Sequence, residues 1–350
     1  MKNELTIMGL DIGGANTDCC IYQINDDEIT LLKSTKQYLP MWEKKDELED
    51  CLKDFKKEFH VDAVIATTTA ELSDGYKSKK EGIYDITSKV TKVFNDSTVK
   101  FVTFNGLKDY DYVKNHPLEA AAANWIATSH LISKINGNCI FMDMGTTTTD
   151  IIPIKNAKET SIGHSDLERL CSGELVYTGM LRTNVATITH KIPVRNKTAT
   201  VSSELFATTA DVHLILKNIT RNEYTCTTSD REDKSATSCK RRLSRVVCAD
   251  LDMLNDEEIV NIARFVEKKQ IEQITEALEK VHSHHKLEDV VITNYANADI
   301  CKKAAERLGL NVTSLNDYLN DDSLNVSPTL GCVQMYLDEH TYKDIQLLKK

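Results

Sequence analysis

One pattern occurs twice in this chain, 132 residues apart, and it constrains the fold more than any other feature. Residues 7–18 read IMGLDIGGANTD and residues 139–150 read CIFMDMGTTTTD, with Asp11 aligned to Asp143. Each copy has an apolar run long enough for a buried strand, then an aspartate, a turn of small residues and a second aspartate. An apolar segment follows each copy and completes a β-hairpin. The pair predicts two related domains, each with one such hairpin, and a ligand cleft between them.

The two turns carry residue types that suit phosphate binding. Glycine permits backbone angles that other residues resist, and successive backbone N–H groups in such a turn form a concave anion site. Short hydroxyl and amide side chains add further donors. The predicted phosphate-binding residues are Gly13, Gly14, Asn16 and Thr17 in the first copy, and Gly145, Thr146, Thr147 and Thr148 in the second. For one copy alone an ordinary hairpin is the better interpretation, and only the repetition favours phosphate binding.

The aspartates of the repeat predict a metal site. A carboxylate does not bind phosphate directly, because both groups are anionic. Its natural role beside phosphate is to hold Mg²⁺, usually through water, so that the metal bridges protein and phosphate. Asp11 and Asp143 are the main candidates for holding Mg²⁺ or another divalent cation, and Asp150 and Asp18 are weaker ones.

Length and composition bound the class of protein. The 350 residues, 41% of them hydrophobic, are enough for two domains with sizeable cores. A net charge of −10 argues against nucleic-acid binding, and no run is apolar enough to span a membrane. The ten cysteines have neither C-x-x-C pairs nor the spacing of a disulfide scaffold, and the N-terminus lacks a signal peptide. These features predict a cytoplasmic protein that acts on small molecules, with its oligomeric state left open.

Strand-like runs alternate with helical patterns in a β-β-β-α-β-α order that then repeats, which predicts an α/β fold with mixed sheets flanked by helices. Helices are predicted over 45–59, 117–135 and 255–281, the last with Asn255 as its N-cap and Glu258 at the third helical position.

The domain boundary is placed near residue 136. The first domain is predicted over 1–135, and the final helix, 333–350, is a candidate to join it. The second domain is predicted over 136–332 with an inserted segment at about 163–250. Within that insert, residues 220–245 are polar and are interpreted as a loop or lid.

Several common catalytic motifs are missing from the sequence. It has no G-x-x-x-x-G-K-[ST], no G-x-G-x-x-G after a strand, no G-x-S-x-G and no H-E-x-x-H. The segment HSHH (282–285) has metal-binding residue types, but it follows a long helix without a matching partner. An exposed polar helix end is therefore favoured over a metal site there.

The paired hairpins resemble the first and second phosphate motifs of the superfamily that contains sugar kinases, actin and heat-shock chaperones. Within it, DIGGANTD and MDMGTTTTDIIPI resemble the hydantoinase/oxoprolinase branch. Five further segments resemble one small family linked to tetrahydromethanopterin one-carbon metabolism and methanogenesis. They are TTTAELSDGYKSKKEGI (67–83), HPLEAAAANWIA (116–127), GHSDLERLCSGELVYTGMLRT (163–183), ATTADVHLIL (207–216) and RRLSRVVCADLDML (241–254). The resemblance covers nearly the whole chain.

This resemblance implies two ribonuclease-H-like lobes, the actin-like ATPase fold, and an activity in methanofuran biosynthesis. The implied transferase joins γ-glutamyltyramine to the diphosphate of (aminomethyl)furanmethanol, forming an aryl ether and releasing diphosphate. One departure bears on the substrate. Members of the superfamily usually have a Gly-rich adenosine turn after a late strand, but here Asn294, Ala296, Asn297 and Ala298 stand there. The departure favours a diphosphate ester over ATP, which we expect not to be required.

The phenol substrate of that reaction needs a base, since its reference pKa is about 10. The candidates are Asp166, His164, His213 and Glu174, and Arg182, Arg242 and Arg245 are candidates to bind diphosphate or a carboxylate. Each has a structural alternative. Asp166 has the features of a helix cap, His213 those of a satisfied core histidine, and the two later arginines those of a solvated face.

Two rival functions stay open. One is an ATP-dependent hydantoinase/oxoprolinase-like hydrolase or small-molecule kinase of the same fold, which ATP consumption would identify. The other is a non-catalytic sensor module, against which the presence of both Asp11 and Asp143 argues.

Overall fold

The structure is a computed structural model that describes residues 4–25, 28–293, 299–318 and 327–340. The chain divides into two compact units. The first comprises residues 1–138, 154–160 and 316–350, and the second comprises residues 139–153 and 161–315. Among the helices described, none has both the length and the apolar character that crossing a membrane requires.

The chain contains runs of strands and runs of helices. The strands are β1 (Glu4–Ile12), β2 (Asn16–Asn25), β3 (Glu28–Tyr38), β4 (Ala63–Thr68), β5 (Thr98–Thr103), β6 (Gly106–Lys108), β7 (Cys139–Met144), β8 (Thr149–Lys155), β9 (Lys158–Glu159), β10 (Leu175–Val176), β11 (Lys191–Val194), β12 (Lys197–Thr200), β13 (Asp289–Ile292) and β14 (Asn311–Ser314). The helices are α1 (Met41–Lys44), α2 (Leu48–Lys56), α3 (Lys79–Val93), α4 (Tyr110–Asn115), α5 (Asn124–Ser133), α6 (Asp166–Ser172), α7 (Val185–Ile188), α8 (Thr209–Ile215), α9 (Ala236–Arg245), α10 (Asp256–His285), α11 (Ile300–Arg307) and α12 (Ser327–Glu339). Three 3₁₀ turns lie at Lys45–Glu47, Pro117–Ala120 and Leu315–Asp317.

The first unit is built on a six-stranded mixed sheet with the strand order β3-β2-β1-β4-β5-β6. β1 pairs antiparallel with β2 and parallel with β4. On one face of the sheet, Met8, Leu10 and Ile12 are fully buried in a core shared with Leu48 of α2 and Ile83 of α3. α5 and α12 pack together, and α12 also packs on β1.

A close backbone approach explains one glycine of β1. A Cβ atom on Gly9 would come within 2.2 Å of the Thr329 carbonyl oxygen of α12. Helix α12 therefore packs on β1 in the first unit, so closely that residue 9 must be glycine.

The second unit repeats the strand arrangement of the first. Its main sheet has the order β10-β8-β7-β13-β14, with β7 parallel to β13 and β10 antiparallel to β8. This order corresponds strand for strand to β3-β2-β1-β4-β5, with β7 in the place of β1. The duplicated hairpin and the mixed sheets flanked by helices, both predicted from sequence, are confirmed.

The long helix of the second unit begins as its sequence predicts. Asn255 is the N-cap of α10, and its side chain and that of Glu258 form a reciprocal capping box. The helix extends to His285, so HSHH forms its last turn. Within the described residues no group of three or more His, Cys, Asp or Glu side chains is arranged to hold a metal ion.

One helix prediction and one loop prediction were wrong in extent. The predicted helix 117–135 is a 3₁₀ turn followed by α5, with a break at Ala122, whose φ is +52°. Ala120, Ala121, Ala122 and Ala123 are all buried, so tertiary packing overrides their helical propensity. The segment 220–245 is not a loop throughout, because α9 occupies its last ten residues.

All ten cysteines lie within the described residues, and none of them is joined in a disulfide bond.

Candidate functional site: two equivalent hairpin turns

The turns of the two hairpins close with the same hydrogen bond. In the first turn, residues 13–16, the Gly13 N–H donates to the Asn16 carbonyl at 2.9 Å. In the second turn, residues 145–148, the Gly145 N–H donates to the Thr148 carbonyl, also at 2.9 Å. The offset of 132 residues therefore holds in backbone geometry as well as in sequence. Both turns are partly exposed, as a ligand-binding turn must be.

The first aspartate of each copy lies at the end of its strand beside a threonine of the neighbouring parallel strand. Asp11 of β1 is opposite Thr67 of β4. Asp143 of β7 accepts a hydrogen bond of 2.6 Å from the hydroxyl of Thr293, which directly follows β13. A hydroxyl that donates to a carboxylate stabilises the ionised form and fixes its orientation. The sequence analysis did not identify either threonine, because their proximity depends on the register of parallel strands.

The second aspartates have cationic partners of very different exposure. Asp18 lies opposite Asp11 and pairs with Lys36 at 3.0 Å, where the lysine side chain is 57% exposed. Asp150 pairs with Arg169 at 2.9 Å, and the arginine side chain is 1% exposed. Burial raises the pKa of both carboxyl groups, and the adjacent cation partly offsets the shift in each case.

The first turn is surrounded by small polar groups. A Cβ atom on Gly13 would lie 3.0 Å from the Asn16 carbonyl oxygen and 3.7 Å from the Thr69 hydroxyl. A Cβ atom on Gly14 would lie 3.6 Å from the Ser73 hydroxyl. The segment after β4 therefore adds two hydroxyl groups to this turn. They belong to the TTTAELSDG segment, whose role in the turn the sequence did not reveal.

The second turn rests on the segment that follows β10. The N–H of Met180 donates to the Gly145 carbonyl, and the N–H groups of Leu181 and Arg182 both donate to the Thr146 carbonyl, each at 3.0 Å. A Cβ atom on Gly179 would come within 2.6 Å of the Thr147 backbone. Residue 179 must therefore be glycine for this segment to support the turn.

Of the three arginines predicted to bind an anion, Arg182 is the one whose backbone is hydrogen-bonded to this turn. Its side chain is exposed, while its backbone N–H is bonded to the turn. Arg245 lies elsewhere in the unit, 42% exposed and 3.6 Å from Asp230.

Two other predicted residues have structural partners inside the second unit. Glu174 is fully buried and accepts hydrogen bonds from the N–H groups of Ile162 and Gly163 and from the Ser172 hydroxyl. Arg242 is fully buried and pairs with Asp211 and Asp230. These contacts occupy both side chains, so we leave Glu174 and Arg242 out of the proposed chemistry.

His213 and Thr17 are also enclosed. His213 is fully buried and its Nε2 lies 2.9 Å from Gln270 Oε1, which are the surroundings of a hydrogen-bonded core histidine. Burial lowers the pKa of His213 to about 4. Thr17 is likewise fully buried at the start of β2. Its backbone lies beside the turn, whereas its hydroxyl cannot reach a ligand in solvent.

The two remaining base candidates lie around the start of α6. Ser165 is the N-cap of this helix and forms a capping box with Glu168, while Asp166 is its first residue. The Asp166 charge contributes to the raised pKa of Asp150, which places these two carboxylates near each other. His164 is exposed and directly precedes the cap. The predicted adenosine-turn residues, Asn294, Ala296, Asn297 and Ala298, lie outside the described residues.

The donor set around each turn fits Mg²⁺. This ion prefers oxygen ligands, keeps several waters and is usually held by one or two carboxylates together with substrate phosphates. Asp11 and Asp143 are half-buried carboxylates at strand ends, and Asp143 also accepts a hydrogen bond from a hydroxyl group, which matches that requirement. Asp150 fits less well, because a buried arginine already neutralises it.

Comparisons with known proteins bear on both family and fold. Residues 62–318 match the hydantoinase/oxoprolinase family. The chain is 42% identical to the (4-{4-[2-(gamma-L-glutamylamino)ethyl]phenoxymethyl}furan-2-yl)methanamine synthase of Methanocaldococcus jannaschii, over 95% of this chain and 98% of that protein. It is 38% identical to the synthase of the same name from Methanococcus vannielii, over 56% of this chain and 90% of that protein. The solved structure of the Lmo2764 protein from Listeria monocytogenes matches with a TM-score of 0.51 and 12% identity, covering 96% of this chain and 99% of the other. At that identity the last comparison supports the fold alone.

Proposed function

This chain belongs to the hydantoinase/oxoprolinase family, and from that premise we propose that it forms the aryl ether of methanofuran biosynthesis. The proposed substrates are γ-glutamyltyramine and (aminomethyl)furanmethanol diphosphate, and the second product is diphosphate. The observation that carries the proposal is the similarity, over nearly the full length of both chains, to a synthase whose product contains this ether.

The proposed reaction is a substitution at carbon. The phenol oxygen forms a bond to the furanylmethyl carbon, the carbon–oxygen bond to diphosphate breaks, and its electron pair leaves with diphosphate. The phenol proton passes to a base. Because a furanylmethyl carbon can carry positive charge, stabilising the departing diphosphate is the main catalytic requirement.

The hairpin turns are proposed as the anion sites. Each offers backbone N–H groups in a tight turn, the arrangement that binds phosphate in many proteins. Arg182, whose backbone is bonded to the second turn, is proposed to add a cationic side chain. Asp11 and Asp143 are the residues proposed to hold Mg²⁺ or another divalent cation, which when bound would neutralise charge on the leaving group.

The base is proposed to come from the start of α6. His164 and Asp166 are the two candidates whose side chains are at least partly exposed there, unlike Glu174 and His213. A proton acceptor at this position would let the phenol react as phenolate well below its solution pKa of about 10.

The proposal is tested by supplying both substrates and Mg²⁺ to the purified protein and detecting the ether and diphosphate by mass spectrometry. We expect product without added ATP. Replacing either strand-end aspartate, Asp11→Asn or Asp143→Asn, should lower kcat about 100-fold or more, since each removes a carboxylate proposed to hold the divalent cation that would neutralise the leaving group.

Matched controls are available in each unit. Asp54→Asn and Asp252→Asn remove exposed carboxylates that belong neither to the turns nor to the segments bonded to them, and should leave kcat within about twofold. Thermal unfolding shows whether each variant is folded. ATP hydrolysis without ether formation would overturn the proposal in favour of a hydrolase or kinase.

A further inference from the structure

Two tyrosines are unusual in their exposure. Tyr38 is 59% exposed and Tyr177 is 67% exposed. Within the described residues, every other Phe, Tyr or Trp is buried or half-buried. A single exposed aromatic side chain is ordinary on a protein surface. The positions of these two residues are what distinguish them.

Tyr38 and Tyr177 occupy equivalent places in the two sheets. Tyr38 ends β3 and is opposite Asn16, the last residue of the first turn. In the second unit, Val176 ends β10 and is opposite Thr149. Tyr177 is the next residue, so the same register brings it level with Thr148. Thr148 is the counterpart of Asn16 at the offset of 132 residues.

The chain after each tyrosine is bonded directly to the adjacent turn. Following Tyr38, the N–H of Leu39 donates to the Ala15 carbonyl at 3.0 Å and that of Met41 donates to the Gly14 carbonyl at 2.8 Å. Following Tyr177, the N–H groups of residues 180–182 donate to the carbonyls of the second turn. Each tyrosine is thus fixed beside its turn by the backbone.

Tyr38 also shares a sheet face with the carboxylates of the first unit. Lys36, two residues before it on β3, forms its ion pair with Asp18. Side chains two residues apart on a strand point to the same face, so Tyr38 lies on the face of Asp18 and of Asp11 opposite it.

We propose that Tyr38 and Tyr177 are aromatic binding surfaces, each taking a planar ring that is attached to an anionic or reacting group at the neighbouring turn. The inference rests on the proposed function, whose two substrates contain one ring each, a phenol and a furan. Stacked or edge-to-face contact with a tyrosine ring holds a planar ring with little loss of side-chain freedom. The tyrosines would therefore select ring-bearing substrates, while the turns recognise the diphosphate.

The test is steady-state kinetics of Tyr38→Ala and Tyr177→Ala, varying the two substrates separately. We expect each alanine variant to raise KM for one ring substrate about three- to tenfold, the range that aromatic pairs contribute. Tyr38→Phe and Tyr177→Phe keep the ring and should restore KM to within about twofold of wild type. Calorimetric titration of γ-glutamyltyramine provides a readout that does not depend on turnover.

Two exposed apolar residues serve as controls. Leu118→Ala in the first unit and Leu205→Ala in the second remove side chains that are 60% and 54% exposed and belong neither to the turns nor to the segments bonded to them. Both should leave KM unchanged. They separate a specific ring contact from a general effect of truncating a surface side chain.

Each outcome decides a separate point. Wild-type KM values for both substrates in both alanine variants, with ether still formed, would overturn the tyrosine assignment and leave the proposed function standing. Another outcome is that the wild-type protein binds γ-glutamyltyramine more tightly than the alanine variants and yet forms no ether. That result would overturn only the proposed reaction. If the protein neither binds γ-glutamyltyramine nor forms the ether, the tyrosine assignment and the proposed function are both overturned. A changed mass in light scattering with unchanged KM would assign the tyrosines to contact between copies of the chain.

Discussion

The first hairpin turn is braced by the backbone of the segment after β3, whereas the second rests on a glycine held by buried polar side chains. The Gly179 carbonyl accepts from the Thr209 hydroxyl at 2.9 Å and from Gln270 Nε2 at 3.0 Å. Gln270 in turn bonds His213, and all three side chains are fully buried. The same backbone turn is thus held by a local strand connection in one unit and by a network reaching α8 and α10 in the other.

The cations paired with the two hairpins also differ in burial, and again the more buried contact is in the second unit. The cation paired with Asp18 is mostly exposed, while the cation paired with Asp150 is buried. A duplicated motif therefore preserves its turn and its carboxylates, while the groups that hold it diverge. Substitutions around the second turn should cost more stability than their counterparts around the first.

The largest expected contrast is between the two cations. Arg169→Met leaves the Asp150 carboxylate buried without its cation, and also removes a bond to the Glu174 carbonyl. We expect a loss of about 3–5 kcal/mol in the free energy of unfolding. Lys36→Met breaks an exposed pair and should cost about 1 kcal/mol or less. Urea denaturation measures both, and equal losses would refute the contrast.

Glycine replacements test the packing beneath the turns. Gly179→Ala places a methyl group within 2.6 Å of the Thr147 backbone, which must shift, and we expect a loss of about 3 kcal/mol together with reduced turnover. Gly14→Ala meets only the Ser73 hydroxyl at 3.6 Å, an ordinary contact, so its cost should stay below about 1 kcal/mol. A Gly14 variant as unstable as the Gly179 variant would show that the first turn is equally constrained.

The two threonines beside the strand-end aspartates should also differ in their contribution to function. Thr293→Val removes the hydroxyl that donates to Asp143, and a hydrogen bond to a charged group is worth about 2 kcal/mol. We therefore expect kcat/KM to fall about 30-fold. The Thr67 hydroxyl has no hydrogen-bond partner among the described residues, so Thr67→Val should be neutral or slightly stabilising. Kinetics and thermal unfolding of both variants provide the check.

The smallest expected effect is a pH dependence confined to the second network. His213 Nε2 faces Gln270 Oε1 and its Nδ1 faces the Asn218 amide nitrogen, so the neutral ring satisfies both partners. Its pKa is about 4 in the folded protein against 6.5 in the unfolded chain. The unfolded state therefore binds more protons between these values, and stability falls as pH drops from about 6.5 to 4, by about 1 kcal/mol per pH unit.

The check is chemical denaturation of wild type and His213→Gln at pH 7, 6 and 5. The glutamine cannot titrate, so the variant should lose this part of the pH slope. Contributions of the buried carboxyl groups are common to both proteins and cancel in their difference. Identical slopes would show that His213 does not titrate as its burial implies.

The sequence predicted those features that local pattern controls. The two hairpins, their offset and the capped start of α10 follow from apolar runs, turn residues and capping residues that are neighbours in the chain. The interrupted helix at 117–135 did not follow, because the burial of its alanines depends on partners far along the chain. Glu174 and Arg242 had residue types suited to catalysis, and only their buried partners identified them as structural.

Taken alone, the sequence determined that this protein contains one kind of hairpin twice, with an aspartate at the end of each leading strand. That much is fixed by residue order, since strand, turn and strand are contiguous. Tertiary structure decided which groups stand beside each hairpin: Thr67 or Thr293 at the aspartate, Lys36 or Arg169 as the cation. These neighbours come from strand register and helix packing between segments tens to hundreds of residues apart, a distance across which local pattern carries no information.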